Sequence, residues 1–122
     1  MAKILIVEDE KILSDMYKNQ FLQEGYEVCQ ARTAQEGIER AQEDHPDFIL
    51  LDILLLESNG ITFLEERNRD SKISSIPVLA FSAYNDAETK ARAKELGVID
   101  YFLKTDFTPN QLIAWINNFL KT

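Results

Sequence analysis

Five short apolar runs set the rhythm of this chain: KILIV (3–7), YEVCQA (26–31), DFILLD (47–52), IPVLAF (76–81) and VIDYFL (98–103). Near-continuous apolarity over about five residues is the pattern of a strand buried on both faces, as in a parallel sheet. Longer amphipathic segments separate the runs. Parallel strands need a crossover between them, and a helix is the usual one. Strict alternation of five strands and five helices therefore predicts an α/β domain, with a parallel sheet covered by helices on both faces.

Local signals agree with that division. Thr33-Ala-Gln-Glu36 and Thr108-Pro-Asn-Gln111 read as capping boxes, the second with Pro109 at the first helical position. Asn85-Asp-Ala-Glu88 is a third helix start, with Asn85 expected as the N-cap. Gly25 and Gly97 each follow a helical pattern and precede a strand, as C-terminal caps do. At 122 residues and 45% hydrophobic, the chain reads as one domain, residues 1–122, with material for a single core.

The charge balance narrows the function. Thirteen basic and 21 acidic residues leave a net charge of −8. That argues against nucleic-acid binding by this domain, which needs a basic face, and suits attraction to cations or to a basic partner. No apolar run approaches the roughly 20 residues of a membrane span. MAKILIVEDE lacks the features of a signal peptide, because its short apolar run leads straight into acids. The single Cys29 excludes an internal disulfide and fits a reducing cytosol. A soluble cytoplasmic domain is expected.

In open parallel sheets, sites form at the carboxyl ends of the strands. After the first run stand Glu8, Asp9 and Glu10; the third ends in Asp52; Ser82 and Ala83 follow the fourth; the fifth ends in Lys104. Asp52 interrupts FILLDILLL, a stretch otherwise entirely apolar. An ionised carboxylate so placed must be paired, metal-bound or held at the exposed end of its strand. Each group has a plain alternative: the first acids as a solvated turn, Ser82 as a turn residue, Lys104 as an exposed strand end. Together they match another pattern. Clustered carboxylates repel, and a hard cation such as Mg²⁺ relieves the repulsion. Carboxylate, cation site, hydroxyl and lysine are the parts needed for phosphoryl transfer to an aspartate.

The segments ILIVEDE (4–10), ILLDILLLESNG (49–60), PVLAFSA (77–83) and GVIDYFLK (97–104), in this order, resemble the receiver domain of two-component response regulators. The resemblance covers nearly the whole chain. It implies a flavodoxin-like (βα)5 sandwich with strand order 2-1-3-4-5. It implies that Asp52 accepts the phosphoryl group and that Glu8, Asp9, Asp52 and the Leu54 carbonyl hold Mg²⁺. Ser82 and Lys104 then contact the phosphoryl group, and Ser82, Ala83 and Tyr101 form the switch. The implied donor is a histidine kinase or histidine phosphotransfer protein. The implied output is a downstream protein contact through the fourth helix, fifth strand and fifth helix, in a monomer or weak dimer. By the same resemblance the domain is a switch that catalyses only its own phosphorylation and dephosphorylation. His45 matches no role.

Two positions depart from the family pattern. Leu56 stands where Pro is usual, and Lys104-Thr105 stands where Lys-Pro, with a cis bond, is usual. A cis non-proline bond costs about 2.5–4 kcal/mol, so a trans bond is expected. The last helix, TPNQLIAWINNFLKT, is apolar at 112, 113, 115, 116, 119 and 120. That stripe is wider than one sheet-facing surface needs, and leaves Trp115 and Phe119 as either deep packing or a partner surface. Two competing readings remain: a pseudo-receiver that only binds partners, and a metal-dependent phosphohydrolase. Glu8, Asp9, Asp52, Ser82 and Lys104 weigh against the first. VEDE in place of Asp-x-Asp after the first strand weighs against the second.

Overall fold

A computed structural model describes residues 2–55 and 59–121. Five strands, β1 (Lys3–Val7), β2 (Glu27–Ala31), β3 (Phe48–Asp52), β4 (Val78–Ser82) and β5 (Asp100–Leu103), alternate with five helices. The helices are α1 (Lys11–Gln23), α2 (Ala34–Asp44), α3 (Gly60–Asn68), α4 (Ala87–Glu95) and α5 (Pro109–Lys121). All strand pairs are parallel, in the order β2-β1-β3-β4-β5. This is the expected flavodoxin-like architecture. Among the described residues no helix is long and apolar enough to cross a membrane.

Topology follows from handedness. The chain leaves β1 toward β2 in one direction, and from β2 onward it moves the other way across the sheet. Right-handed crossovers then place α1 on one face and α2, α3 and α4 on the other. The core accordingly forms two clusters. Ile4, Ile6, Phe48, Leu50, Leu79 and Phe81 meet Tyr17 and Phe21 of α1 and Leu112, Ile113 and Ile116 of α5. The alternate positions, Leu5, Val7, Ile49, Leu51, Val78 and Ala80, meet α2, α3 and the single buried side chain of α4, Ala93. β3 and β4 are buried along their whole lengths, which explains their unbroken apolar sequences.

Helix ends show where local chemistry prevails. Thr33 Oγ1 accepts from the Glu36 N–H at 3.1 Å, but Glu36 reaches one residue beyond the N-cap, to the N–H of Arg32. Thr108 and Gln111 form the reciprocal box as expected. The N-cap of α4 is Asp86, not Asn85. Its carboxylate accepts from the Glu88 N–H and the Thr89 hydroxyl, and an anion there is favoured by the helix dipole. Gly25 and Gly97 adopt positive φ as expected, and α2 ends on His45 in the left-handed region at φ 48.

β4 begins two residues after its apolar run does, and so does β5. At β4, Pro77 lacks an N–H for the ladder. At β5, the Val98 N–H is committed to closing α4 on Ala93 O. No described peptide bond is cis, so Lys104-Thr105 is trans. The wide stripe of α5 is an aromatic ladder. Phe107 packs on Phe102, Trp115 meets Phe102 edge-on at 5.3 Å and stacks on Phe119, and Phe119 reaches Phe48. Trp115 is half-buried and Phe119 is partly exposed.

Gly60 closes the turn after β3. A Cβ there would lie 2.7 Å from Ile53 Cα and 3.0 Å from Asp52 O, both backbone atoms. Backbone cannot give way as a side-chain tip can. Gly60→Ala is expected to destabilise the fold by about 1–3 kcal/mol in urea unfolding, the range for forced overpacking. A midpoint equal to the wild type's would show that the turn has slack.

Candidate functional site

β1 and β3 are the neighbouring strands from which the connections run in opposite directions, so the crevice of the sheet opens at their carboxyl ends. Glu8 follows β1 directly and Asp52 is the last residue of β3. Parallel register brings the two ends level, with Val7 opposite Leu51. Both carboxyl groups are buried, and Asp9 beside them is half-buried. Glu8, Asp9 and Asp52 each offer an oxygen within 4.8 Å of the others.

Lys104 enters from the end of β5, two strands from β3. Its backbone N–H donates to Ser82 O at 2.7 Å, which continues the ladder by one residue. Its Nζ donates to Asp52 Oδ2 at 3.1 Å and to Glu8 Oε1 at 3.2 Å. The ammonium also lies 5.1 Å from the ring centroid of Phe81, which in turn touches Tyr17 edge-on. One lysine thus bridges two strands over an aromatic floor. Burial alone would lower its pKa, but Asp52 and Glu8 outweigh that and raise it, which keeps Lys104 charged.

The other groups fall close by. Asp52 Oδ1 accepts from the Leu54 N–H at 3.0 Å. Ser82 is buried, and its Oγ accepts from the Tyr84 N–H at 3.2 Å. Ala83, next to it, is exposed. Tyr101 is buried in the cluster on the α2–α4 face of the sheet, and its hydroxyl is buried without a hydrogen-bond partner. Leu56 lies outside the described residues. His45 stands at the C-terminal end of α2 and precedes the start of β3, the opposite end of that strand from Asp52. Sequence reasoning missed Phe81 and Tyr17. Phe81 was legible as part of its run, but only register, which sets it opposite Asp52, marks it as the floor of the site.

Glu8 carries the plainest sign of an unmet need. Its Oε2 is buried and has no hydrogen-bond partner. Such an oxygen is costly unless a proton or a cation meets it. Without a cation, burial first, then hydrogen bonding and charge from Asp52, push the Glu8 carboxyl up to about 9, against an opposing pull from Lys104. Three carboxylates with only oxygen donors fit a hard divalent ion of the Mg²⁺ type.

An open parallel sheet with an acid cluster, a buried aspartate and a bridging lysine at its switch point defines a flavodoxin-like domain with an acidic site at its strand ends. The chain belongs to the response regulator receiver domain family, whose sequence model matches residues 4–117. Among curated proteins it is 34% identical over 114 residues to the phosphate regulon transcriptional regulatory protein PhoB of Escherichia coli, covering 93% of this chain and 49% of PhoB. It is 31% identical over 121 residues to the DNA-binding dual master transcriptional regulator RpaA of Synechocystis, covering 99% and 50%. The chain therefore spans about half the length of these relatives. A CheY-like receiver domain protein from Methanospirillum hungatei superimposes with a TM-score of 0.90 at 27% identity, covering 99% of this chain and 94% of that one. Chemotaxis protein CheY4 of Vibrio cholerae gives 0.87 at 26%, covering 97% and 98%.

A raised Glu8 pKa has a definite sign in stability. Between the ordinary value of 4.5 and about 9, folded Glu8 holds a proton that the unfolded chain has lost. Stability of the metal-free protein should therefore fall as pH rises through that window. Lys104 adds no slope there, since it is protonated in both states. Urea midpoints measured from pH 5 to 9 in chelator should decline for wild type and flatten in Glu8→Gln, which keeps the shape of the protonated acid. Parallel declines in both would locate the effect elsewhere.

Proposed function

We propose that this chain is a phosphoryl-accepting switch whose acceptor is Asp52. The observation that carries this reading is the buried Asp52 carboxylate, held by Lys104 on one oxygen and the Leu54 N–H on the other, beside two further acids. The donor is a phosphohistidine on a kinase or a phosphotransfer protein. Its P–N bond breaks as a P–O bond forms to an Asp52 oxygen. The bonding pair stays on the imidazole nitrogen, which takes up a proton.

Each residue has a part that its position suits. The Leu54 N–H fixes the orientation of Asp52. Lys104, already charged, turns from the carboxylate to a phosphoryl oxygen and offsets the negative charge gained. The Ser82 hydroxyl, buried at the adjacent strand end, donates to another. Magnesium, held by Glu8, Asp9, Asp52 and the Leu54 carbonyl, would supply neutralisation of charge developing on the phosphoryl group. Ser82 and Ala83 then draw in, Tyr101 responds, and the surface of α4, β5 and α5 changes. That surface binds a downstream protein or, weakly, a second copy, in the cytoplasm. A local charge event thereby biases a two-state element.

Incubation with a small-molecule phosphodonor and Mg²⁺ should add the mass of one phosphoryl group to the wild type and none to Asp52→Asn. Equal labelling of the variant refutes the site. Leu54 and Tyr84, each two residues past a site residue, place bulk where water must approach for in-line attack. A long-lived phosphoryl group is therefore expected, and hydrolysis within seconds in purified protein would contradict it.

A further inference from the structure

Lys104 has a distance to cover. It leaves the end of β5, its partner Asp52 ends β3, and β4 lies between them. Neighbouring strands lie about 4.8 Å apart, so the four-carbon stem of the lysine must carry its ammonium across the end of β4. Register decides what it crosses. Phe81 stands opposite Asp52 on one side and, on the other, opposite Phe102, two residues before Lys104. Paired positions of a parallel sheet share a face, as do alternate residues of one strand, so Asp52, Phe81 and Lys104 point to the same side. Beneath the ammonium, therefore, lies the ring of Phe81, itself 2% exposed, with its centroid 5.1 Å from Nζ. Tyr17 meets that ring at 89°, with 5.8 Å between centroids, and fixes its plane.

A ring does something here that neither an aliphatic nor a polar side chain does. Its face attracts a cation electrostatically and takes no hydrogen bond in return. An ammonium has three N–H groups. Among the described residues, that of Lys104 donates to Asp52 Oδ2 and Glu8 Oε1, two acceptors for three donors. A serine or asparagine beneath it would claim the third donor, and a leucine would leave the charge without attraction from below. We propose that Phe81 is a positioning residue for phosphoryl transfer: its ring holds the Lys104 ammonium over the end of β4 and leaves one N–H for an oxygen of the incoming phosphoryl group. This role rests on the acceptor reading of Asp52. The ammonium turns to the phosphoryl oxygen over a ring that stays in place, so the cation is ordered before the donor arrives.

Fluorinated phenylalanines separate attraction from packing. Each added fluorine weakens the negative face of the ring while its size and apolar character change little. Phenylalanines carrying one, two and three fluorines, introduced at position 81 alone, are compared with wild type and Phe81→Leu. Labelling by a small-molecule phosphodonor with Mg²⁺ is timed, and proton NMR follows the Cε methylene of Lys104. Expected are a stepwise fall in labelling rate with fluorination, about threefold in all, and a loss of about fivefold or more in Phe81→Leu. The Cε protons should lie upfield in wild type, moved by the ring current, and return to the ordinary lysine position in Phe81→Leu. A rate that stays constant across the fluorinated series overturns the positioning role even where Phe81→Leu is slow, since the ring then only packs. Unshifted Cε protons in wild type overturn it too, because the ammonium is then not over the ring. Both of these outcomes leave Asp52 as acceptor. A wild type that the small donor fails to label condemns the acceptor reading itself, and the role of Phe81 in transfer with it.

Discussion

The ammonium of Lys104 is the constraint on which the site depends. It stands between two buried carboxyl groups that would otherwise repel each other across a low-dielectric crevice. A buried ion pair is weak evidence of stability, because desolvation consumes much of the attraction. Its value here is placement. Removing the lysine would leave Glu8 and Asp52 buried and facing one another, and removing either acid would leave the ammonium with a single carboxylate partner over Phe81. The three groups define each other's positions, and the fold supplies the strand ends that bring them together.

That supply comes from topology. Glu8 and Asp52 are 44 residues apart and Lys104 is 52 further on, yet parallel register sets all three at one edge. Glu8, Asp52, Ser82 and Lys104 each sit at or just beyond the carboxyl end of an apolar strand. The sheet is therefore the rigid part, and the chemistry is carried on the short segments that leave it. The crevice forms where the direction of chain travel reverses, because the helices that follow β1 and β3 lie on opposite faces of the sheet.

Much of this was legible in the residues. Five apolar runs told of five strands, of which β1, β3 and β4 are buried and the edge strands β2 and β5 are only partly so, and the acids and lysine after those runs told of the site. What escaped was short-range competition. Pro77 lacks the donor that β4 needs to begin with its run. Asp86 outcompeted Asn85 because a full charge meets the helix dipole better than an amide. His45 took a left-handed turn usually left to glycine. Phe81 as the floor under Lys104 needed register across strands, which no local pattern carries.

The helices are not equally anchored. α2 and α3 each bury four residues and α1 and α5 three, whereas α4 buries only Ala93. Its tie to α3 is the exposed pair Arg92–Glu65, joined by a bond from the Asn68 amide to Leu96 O just past its end. Exposed pairs of this kind contribute about 0.2–1 kcal/mol. In the hierarchy of local openings, α4 therefore stands nearest the bottom of the ladder, and its amides exchange with solvent before those of the other helices. The segment that leaves Ser82 thus leads straight into the part of the molecule that yields most cheaply.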